Sequence, residues 1–461
     1  MLLTLSPQEV SNMEDFPHWE PGIRQEHPTL RGMVQADVAI VGGGLTGAAC
    51  AAMLSAAGVS VVLIEGRQLG RGASWNCTGK VTSQLVGVYQ TIADAAGLDA
   101  AAAYCRMVRE AIPGLRQLCR ELGVPTQEQS VYTFAETTDD LPALHKLHRL
   151  EAQLGLPVTV APDAGGCPFP VELSLALQHQ LLVQPLPYLM ALVEAAKAQG
   201  CQVFEHSPVR AVEGHQVLTD SGSVEAETIL LATGSPMGCT WLPRLCMMQQ
   251  RTCQTVTLEG GAPILNSHLS VQGDELTLRP TPTGALLAWD LGRTGSKEHP
   301  GRQLILQRTL RALLPDMRVV ESHIRQDVWS GDGLPLIGAI KPQHSHILMA
   351  TGYSGWGVVG SYLAARVLTG QITGHPLPEA ALFRPDRPSP KLSEALRVTG
   401  AYLGGLPRLG APTCTHMGGK LRYDPDSQRW ECPCHGSTFT TLGQALDGPA
   451  ARDAHVSARQ R

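Results

Sequence analysis

Several things are missing from this 461-residue sequence, and each absence narrows what the protein can be. It has no long basic run, and its formal net charge is −5, so nucleic acid is not an expected partner. It has no disulfide framework: the 12 cysteines are scattered, and only Cys414, Cys432 and Cys434 cluster, a pattern suited to a reducing compartment. No repeat or low-complexity segment occurs. Met1 to Glu14 offers a short apolar stretch, Met1 to Leu5, but no basic region before it, so no signal peptide is expected. Val38 to Ile64 carries no charge and is long enough to cross a bilayer. Gly42, Gly43, Gly44 and Gly47 interrupt it, however, and it parses better as strand, turn, helix and strand. A soluble, cytoplasmic protein without a membrane span is the expectation. No Ser-His-Asp or metal-hydrolase constellation is legible either.

What is present fits a large globular enzyme. Hydrophobic residues make up 43% and charged residues 17%, and the length suggests two or three domains. Near the C-terminus stand Cys414-Thr415-His416 and, fifteen residues further on, Cys432-Pro433-Cys434-His435. Each segment offers a thiolate and an imidazole at short spacing, C-x-H and C-x-x-H. A Rieske [2Fe–2S] cluster needs two thiolates on one iron and two imidazoles on the other. Zinc is the alternative, but zinc fingers usually pair Cys with Cys and His with His. With Gly418-Gly419 and Gly436-Ser437 as flanks, the strings resemble the two cluster-binding loops of Rieske proteins.

The N-terminal half carries a second signature. Ala36 to Val41 reads as a buried strand, Gly42-Gly43-Gly44-Leu45-Thr46-Gly47 as a tight turn, and Ala48 to Ala57 as a helix closed by Gly58. Val59 to Ile64 is the next strand, and Glu65 ends it, 18 residues after Gly47. Strand, G-x-G-x-x-G, helix and acid in this order make a dinucleotide-binding fingerprint. Gly42 serves the turn, Gly44 lets the backbone approach a pyrophosphate, and Gly47 permits close helix–strand packing. The helix N-terminus would stabilise the phosphates, and Glu65 would bond ribose hydroxyls. No second such turn exists to hold a nicotinamide nucleotide.

Four later segments decide which dinucleotide. They are Gly70-Arg71-Gly72-Ala73-Ser74, the strand Glu227 to Gly234 ending in A-T-G, Asp332 to Gly338, and Leu348 to Gly357. Taken in order, residues 30 to 375 resemble the glycine/D-amino-acid oxidase family of flavoproteins. The resemblance implies FAD. It implies an FAD-binding Rossmann-like α/β domain with an interleaved α+β substrate domain, followed by a small, shortened β-rich Rieske module. The implied boundaries are 1–375 for the flavin unit, with FAD-binding parts at about 30–90, 150–235 and 325–375 and substrate parts at about 91–149 and 236–324. A linker would fill 376–405 and the Rieske module 406–461. By the same likeness the cofactor contacts are Gly42, Gly44, Leu45, Thr46, Gly47, Glu65, Gly66, Arg67, Ala73, Ser74, Val209, Thr233, Gly234, Gly352, Gly355, Trp356 and Gly357. The last four lie near the flavin ring, and the backbone near Val209 meets the adenine.

Ile92 to Leu154 reads as largely helical, with Leu115, Leu118, Cys119 and Leu122 on one face. Leu182 to Pro185 reads as a loop before a helix over Tyr188 to Ala198. Met247 to Trp289 suggests an antiparallel sheet, which in the related oxidases roofs the flavin. Lys80 is the first candidate to meet a substrate carboxylate or stabilise charge on the reduced flavin. Arg279 is the second, for an anionic group, and Tyr353 the third.

The tail departs from its relatives. Many Rieske domains place a Cys three residues after the first His, bonded to the Cys inside C-P-C-H; here that position is Gly419. The resemblance therefore makes Cys414, His416, Cys432 and His435 the ligands, with Cys434 lacking its usual cross-link. Ser437 remains to bond a cluster sulfur. Phe439 stands where high-potential relatives have Tyr, which predicts a potential in the lower or middle Rieske range. Pro388 to Pro412 reads as a connector with a helical patch at Leu392 to Val398. The residues after Ala450 read as a frayed tail. So small a module needs a staple, either the cluster or docking on the flavin domain.

The expected function is an FAD-dependent oxidoreductase taking a two-electron equivalent from an amine, amino acid or related donor. A Rieske cluster would exchange single electrons with a carrier such as a ferredoxin, in either direction. The alternatives are a redox-sensing or assembly flavoprotein without turnover, and a plain oxidase with a vestigial tail.

Overall fold

The computed structural model describes residues 26–162, 164–235, 248–272, 276–295, 301–387, 412–425 and 427–456. The chain opens with β1 (Gly32–Val41), a glycine turn, α1 (Leu45–Ala56) and β2 (Val61–Ile64). A short β3 (Lys80–Val81) precedes the helices α2 (Val88–Ala96) and α3 (Leu98–Glu121). Next come β4 (Thr126–Ala135), α4 (Leu141–Gln153), β5 (Thr159–Ala161), β6 (Leu173–Val183) and α5 (Pro185–Ala198). The strands β7 (Gln202–Phe204), β8 (Val209–Glu213), β9 (Gln216–Thr219) and β10 (Gly222–Leu231) return to the first layer. The second layer is completed by β11 (Met248–Gly260), β12 (Ser267–Ser270), β13 (Thr277–Thr281), β14 (Gly284–Arg293), α6 (Arg302–Leu313) and β15 (Met317–Ser330). The flavin unit closes with β16 (Leu336–Ala339), β17 (Ile347–Thr351) and α7 (Gly357–Ile372), and the tail adds β18 (Arg422–Asp424), β19 (Arg429–Glu431), β20 (Thr438–Phe439) and β21 (Ala445–Asp447).

Three sheets result. The first has eight strands, with the path β16-β17-β10-β1-β2-β7. Its central pairs, β17-β10-β1-β2-β7, are parallel, so both faces must be covered. The alanine-rich α1 lies on one face, with Ala48, Ala49, Cys50 and Ala51 wholly buried, and α5 and α7 pack beside it. Small side chains let these helices approach the sheet closely. The second sheet has nine strands in the order β15-β11-β14-β13-β12-β4-β6-β3, with β5 on β6. It is antiparallel except where β12 runs with β4. The third, β18-β19-β20-β21, forms the small tail module.

Four expectations need correction. The stretch read as helical contains β4. Val131, Tyr132, Thr133 and Phe134 carry β-branched and aromatic side chains, and pairing with β6 and β12 on both sides overrides the helical neighbourhood. The loop read at Leu182-Val183 is the end of β6, which belongs to the second sheet although it falls inside the 150–235 segment. The boundary drawn at 324 cuts through β15. The region read as linker begins as part of the flavin unit: Phe383 is fully buried, edge-on to Tyr104 at 5.9 Å. Arg387 there donates Nε and Nη2 to the two oxygens of Asp332 at 2.6 and 2.8 Å. The helical patch at Leu392 to Val398 lies outside the described residues.

Candidate active site and cluster-binding loops

At the end of β1 the backbone turns through Gly42, whose φ of +111° disfavours any side chain. A Cβ there would meet Ala232 O at 2.5 Å, and one on Gly47 would meet Gly42 O at 1.9 Å. Strand, turn and helix are therefore as close as backbones allow. Gly44 is the cap of α1 and brings no side chain to it. The Leu45 N–H instead donates to Ser74 Oγ at 2.9 Å, which places the Ala73-Ser74 segment at the helix mouth. Such a mouth suits a pyrophosphate. Glu65 sits beside it, accepting from the N–H groups of Gly43 and Arg67 at 2.7 and 2.8 Å. Gly66 lies against Pro208, where a Cβ would stand 3.4 Å from Pro208 Cα, so Val209 starts β8 next to this acid. Thr351 Oγ1 donates to Gly234 O, joining the A-T-G turns at Thr233-Gly234 and Thr351-Gly352. The crowded turn, the helix N-terminus without a capping side chain of its own and the neighbouring carboxylate fit a dinucleotide.

From the second turn the chain enters a cleft that is partly open to solvent. One wall is Gly355, Trp356 and Gly357 at the start of α7; another is Cys77 to Lys80. The roof comes from β11, β14 and β15 through Cys253, Asp290, Arg325, Asp327 and Trp329. Lys80 is 6% exposed, and its Nζ has no hydrogen-bond partner among the described residues. Burial, reinforced by the nearby Arg325 and Arg279, holds its pKa well below the usual lysine range. Arg325 pairs with Asp327 at 3.1 Å. Arg251 donates Nε to Asp290 Oδ2 at 2.8 Å and lies over the Trp329 ring at 4.8 Å. The thiols of Cys77 and Cys253 are pushed up by burial and stay protonated.

Of the three candidate substrate residues, only Lys80 lines this cavity. Arg279 is buried in β13, burial bringing its pKa down to about 10, and it acts on Lys80 through its charge. Tyr353 faces the dinucleotide turn instead: its hydroxyl lies 3.1 Å from Thr46 Oγ1, and its ring fills the space a Cβ on Gly360 would need. Sequence reasoning missed Arg325, Asp327 and Trp329. Their spacing of two along β15 was the available signal, since alternate strand residues share one face.

In the tail, two turns of the same form bring the Cys–His pairs together. Gly418 N–H donates to Cys414 O and Gly436 N–H to Cys432 O, both at 2.9 Å, and both glycines have positive φ. The sulfurs of Cys414 and Cys432 are within hydrogen-bonding reach of each other, and the rings of His416 and His435 lie 5.1 Å apart, nearly perpendicular. Two thiols together and two imidazoles together suit a dinuclear cluster better than tetrahedral zinc. The Ser437 hydroxyl hydrogen-bonds the Cys414 sulfur. The expected frayed tail is corrected as far as Val456, residues 457–461 lying outside the described residues: Ala454 and Val456 are buried in the module core, and Ala454 N–H donates to Gly443 O at 2.7 Å. Burying these two apolar side chains extends a core too small without them.

Residues 37–371 match the model of the FAD-dependent oxidoreductase family and residues 404–457 that of the Rieske [2Fe-2S] domain. The chain belongs to the FAD-dependent oxidoreductases of the DAO family and carries a C-terminal Rieske domain; its cofactors are FAD and a [2Fe–2S] cluster. A Bacillus subtilis protein described as a Rieske 2Fe-2S iron-sulfur protein, YhfW, is 26% identical over 92% of this chain and 94% of its own. The gamma-glutamylputrescine oxidoreductase of Escherichia coli is 23% identical over 75% of this chain and 85% of its own. The crystal structure of glycine oxidase from Geobacillus kaustophilus superposes with a TM-score of 0.66 at 20% identity, covering 77% of this chain and all of that one, which establishes the shared fold. Among the described residues no helix is long and apolar enough to cross a membrane.

Proposed function

We propose that the protein oxidises a small amine or amino acid bearing an anionic group and exchanges the electrons singly, through its Rieske cluster, with a carrier such as a ferredoxin in the cytoplasm. The observation that carries the substrate class is the buried, unpartnered Nζ of Lys80 on the cavity wall. An amine buried without a partner is costly, and a substrate carboxylate would supply both a hydrogen bond and a counter-charge. Arg325 and Arg279 add positive potential, while Asp290 and Asp327 offer acceptors for a substrate ammonium. The relatives support an amine or amino-acid donor by their names, one a gamma-glutamylputrescine oxidoreductase and others glycine oxidases.

The residues that would hold FAD are Gly42, Gly44, Leu45, Thr46, Gly47, Glu65, Gly66, Arg67, Ala73, Ser74, Val209, Thr233, Gly234, Gly352, Gly355, Trp356 and Gly357. Those that would hold the cluster are Cys414, His416, Cys432 and His435. Bound FAD supplies hydride acceptance, and the cluster supplies one-electron exchange. Lys80 orients the donor, the cavity roof limits water, and Tyr353 braces the turn that carries Thr46. Anaerobic mixing with a panel of amines, amino acids and their decarboxylated analogues tests the reading. Bleaching of the flavin by a carboxylate-bearing donor, with none by its decarboxylated analogue, is expected; bleaching by neither class would overturn it.

A further inference from the structure

The second sheet has two working faces. Along β15, Arg325, Asp327 and Trp329 line the cavity. Strand alternation sends Gln326 and Val328 to the opposite face, and the Rieske module sits there. Gln326 Nε2 donates to Gly436 O in the second cluster loop at 3.0 Å and to Thr294 Oγ1 at 3.1 Å. Thr294 Oγ1 in turn lies 2.9 Å from Thr252 Oγ1. A Cβ on Gly436 would collide with Gln250 at 2.2 Å, and one on Gly295 would stand 2.7 Å from Pro433 Cα. Glu431 accepts from Gly295 N–H at 2.7 Å, and Arg422 Nη1 donates to Gly295 O at 3.0 Å. From the first cluster loop, Met417 packs on the apolar cluster that contains Met248, with Val328 also against it.

Gln250, Thr252, Thr294 and Gln326 are all buried. Polar side chains are kept out of water when their hydrogen bonds are made locally. Here Thr252, Thr294 and Gln326 Nε2 bond one another and the module's loop, while Gln326 Oε1 has no partner among the described residues. The second cluster loop faces the sheet whose other side roofs the flavin cavity, while Met417 of the first packs on an apolar cluster drawn mainly from the first sheet. The separation is one sheet with its side chains, on the order of 10 Å.

We propose that this face is a built seat for the second cluster loop, with Gln326 as its positioning residue, and that electrons cross between flavin and cluster within one chain through β11 and β15. The inference rests on the two-cofactor reading above. In each crossing one electron leaves the reduced flavin and one ferric iron becomes ferrous. A one-electron carrier then takes that electron from the cluster before a second crossing.

Laser-flash photoreduction of the FAD in the intact, iron-loaded protein, with EDTA as the sacrificial donor, tests this without a substrate. The cluster absorbance should respond at a rate independent of protein concentration. In Gln326→Leu, flavin and iron contents should stay as in wild type. Arrival at the cluster should slow severalfold as the second cluster loop loses its anchor. Amide hydrogen exchange should rise at residues 432–437 and 292–295. Should that variant lose its cluster, Thr294→Val removes one of the two bonds of Gln326 while changing no residue of the module and should raise the same exchange. A rate proportional to protein concentration in wild type, or unchanged rate and exchange in both variants, would overturn the seat while leaving the two-cofactor reading intact. A reduced flavin that never passes an electron to the cluster, at any concentration, would overturn that reading itself.

Discussion

The sulfur of Cys434 stands 2.9 Å, and its Cβ 3.8 Å, from the point where a Cβ on Gly419 would lie. The second distance is the usual Cβ–Cβ separation of a disulfide, about 3.8 Å. The loops thus keep the geometry of a cross-link whose second cysteine is absent. Gly419→Cys should form that bond under air. Closing a loop of about 15 residues should stabilise the module by about 3 kcal/mol. Mass spectrometry should show the loss of two hydrogens, and iron release to a chelator should slow. Two free thiols in the oxidised variant would contradict the assignment.

Lys80 makes a second prediction. Lys80→Met should keep the flavin, since Lys80 does not belong to the dinucleotide turn. It should lower kcat/KM for an anionic donor roughly 10- to 100-fold, the scale of a charge-assisted hydrogen bond. Because its pKa lies well below the usual lysine range, the alkaline limb of kcat/KM in wild type should fall below that range and vanish in the variant.

Glu151 does not line the cavity and sets a pH dependence of stability. It is fully buried, accepts from Gln84 Nε2 at 3.1 Å, and burial pushes its pKa from 4.5 up to about 8. The folded chain therefore holds a proton that the unfolded chain releases between those values. Stability is full below about pH 4.5 and declines as pH rises toward about 8. Glu151→Gln should flatten this slope and melt higher than wild type at pH 8, by thermal unfolding across a pH series. Parallel slopes in the two proteins would contradict the proton count.

Phe439 is fully buried in the module core with Cys414 and Cys432. With no hydroxyl there, the cluster has one fewer bond to its sulfurs. The midpoint potential should lie below about +150 mV in a Rieske range of about −150 to +300 mV. Phe439→Tyr should raise it in a redox titration.

The parts of this molecule that sequence makes legible are those set by local chemistry. The turn from Gly42 to Gly47 can serve one purpose only because strand, helix and Glu65 surround it within one short stretch. The Cys–His pairs are equally local. The cavity roof is not: Arg325, Asp327 and Trp329 meet Lys80 only through pairing of β15 with β11 and of β3 with β6, and no local pattern records that register. The same holds for Gln326 and Gly436, 110 residues apart. Tyr353 is a substrate candidate on sequence alone; its orientation toward Thr46 depends on the absent side chain of Gly360, which leaves room for the ring.

The central claim is that one chain carries a flavin and a Rieske cluster that share electrons. The most direct test is an anaerobic absorbance titration of the purified protein, with flavin, iron and acid-labile sulfide counted on the same sample. One FAD, two irons and two sulfides per chain are expected, with flavin bleaching followed by loss of the cluster bands on flash or donor reduction. Zinc in place of iron, or a cluster that stays oxidised while the flavin is fully reduced, would contradict it.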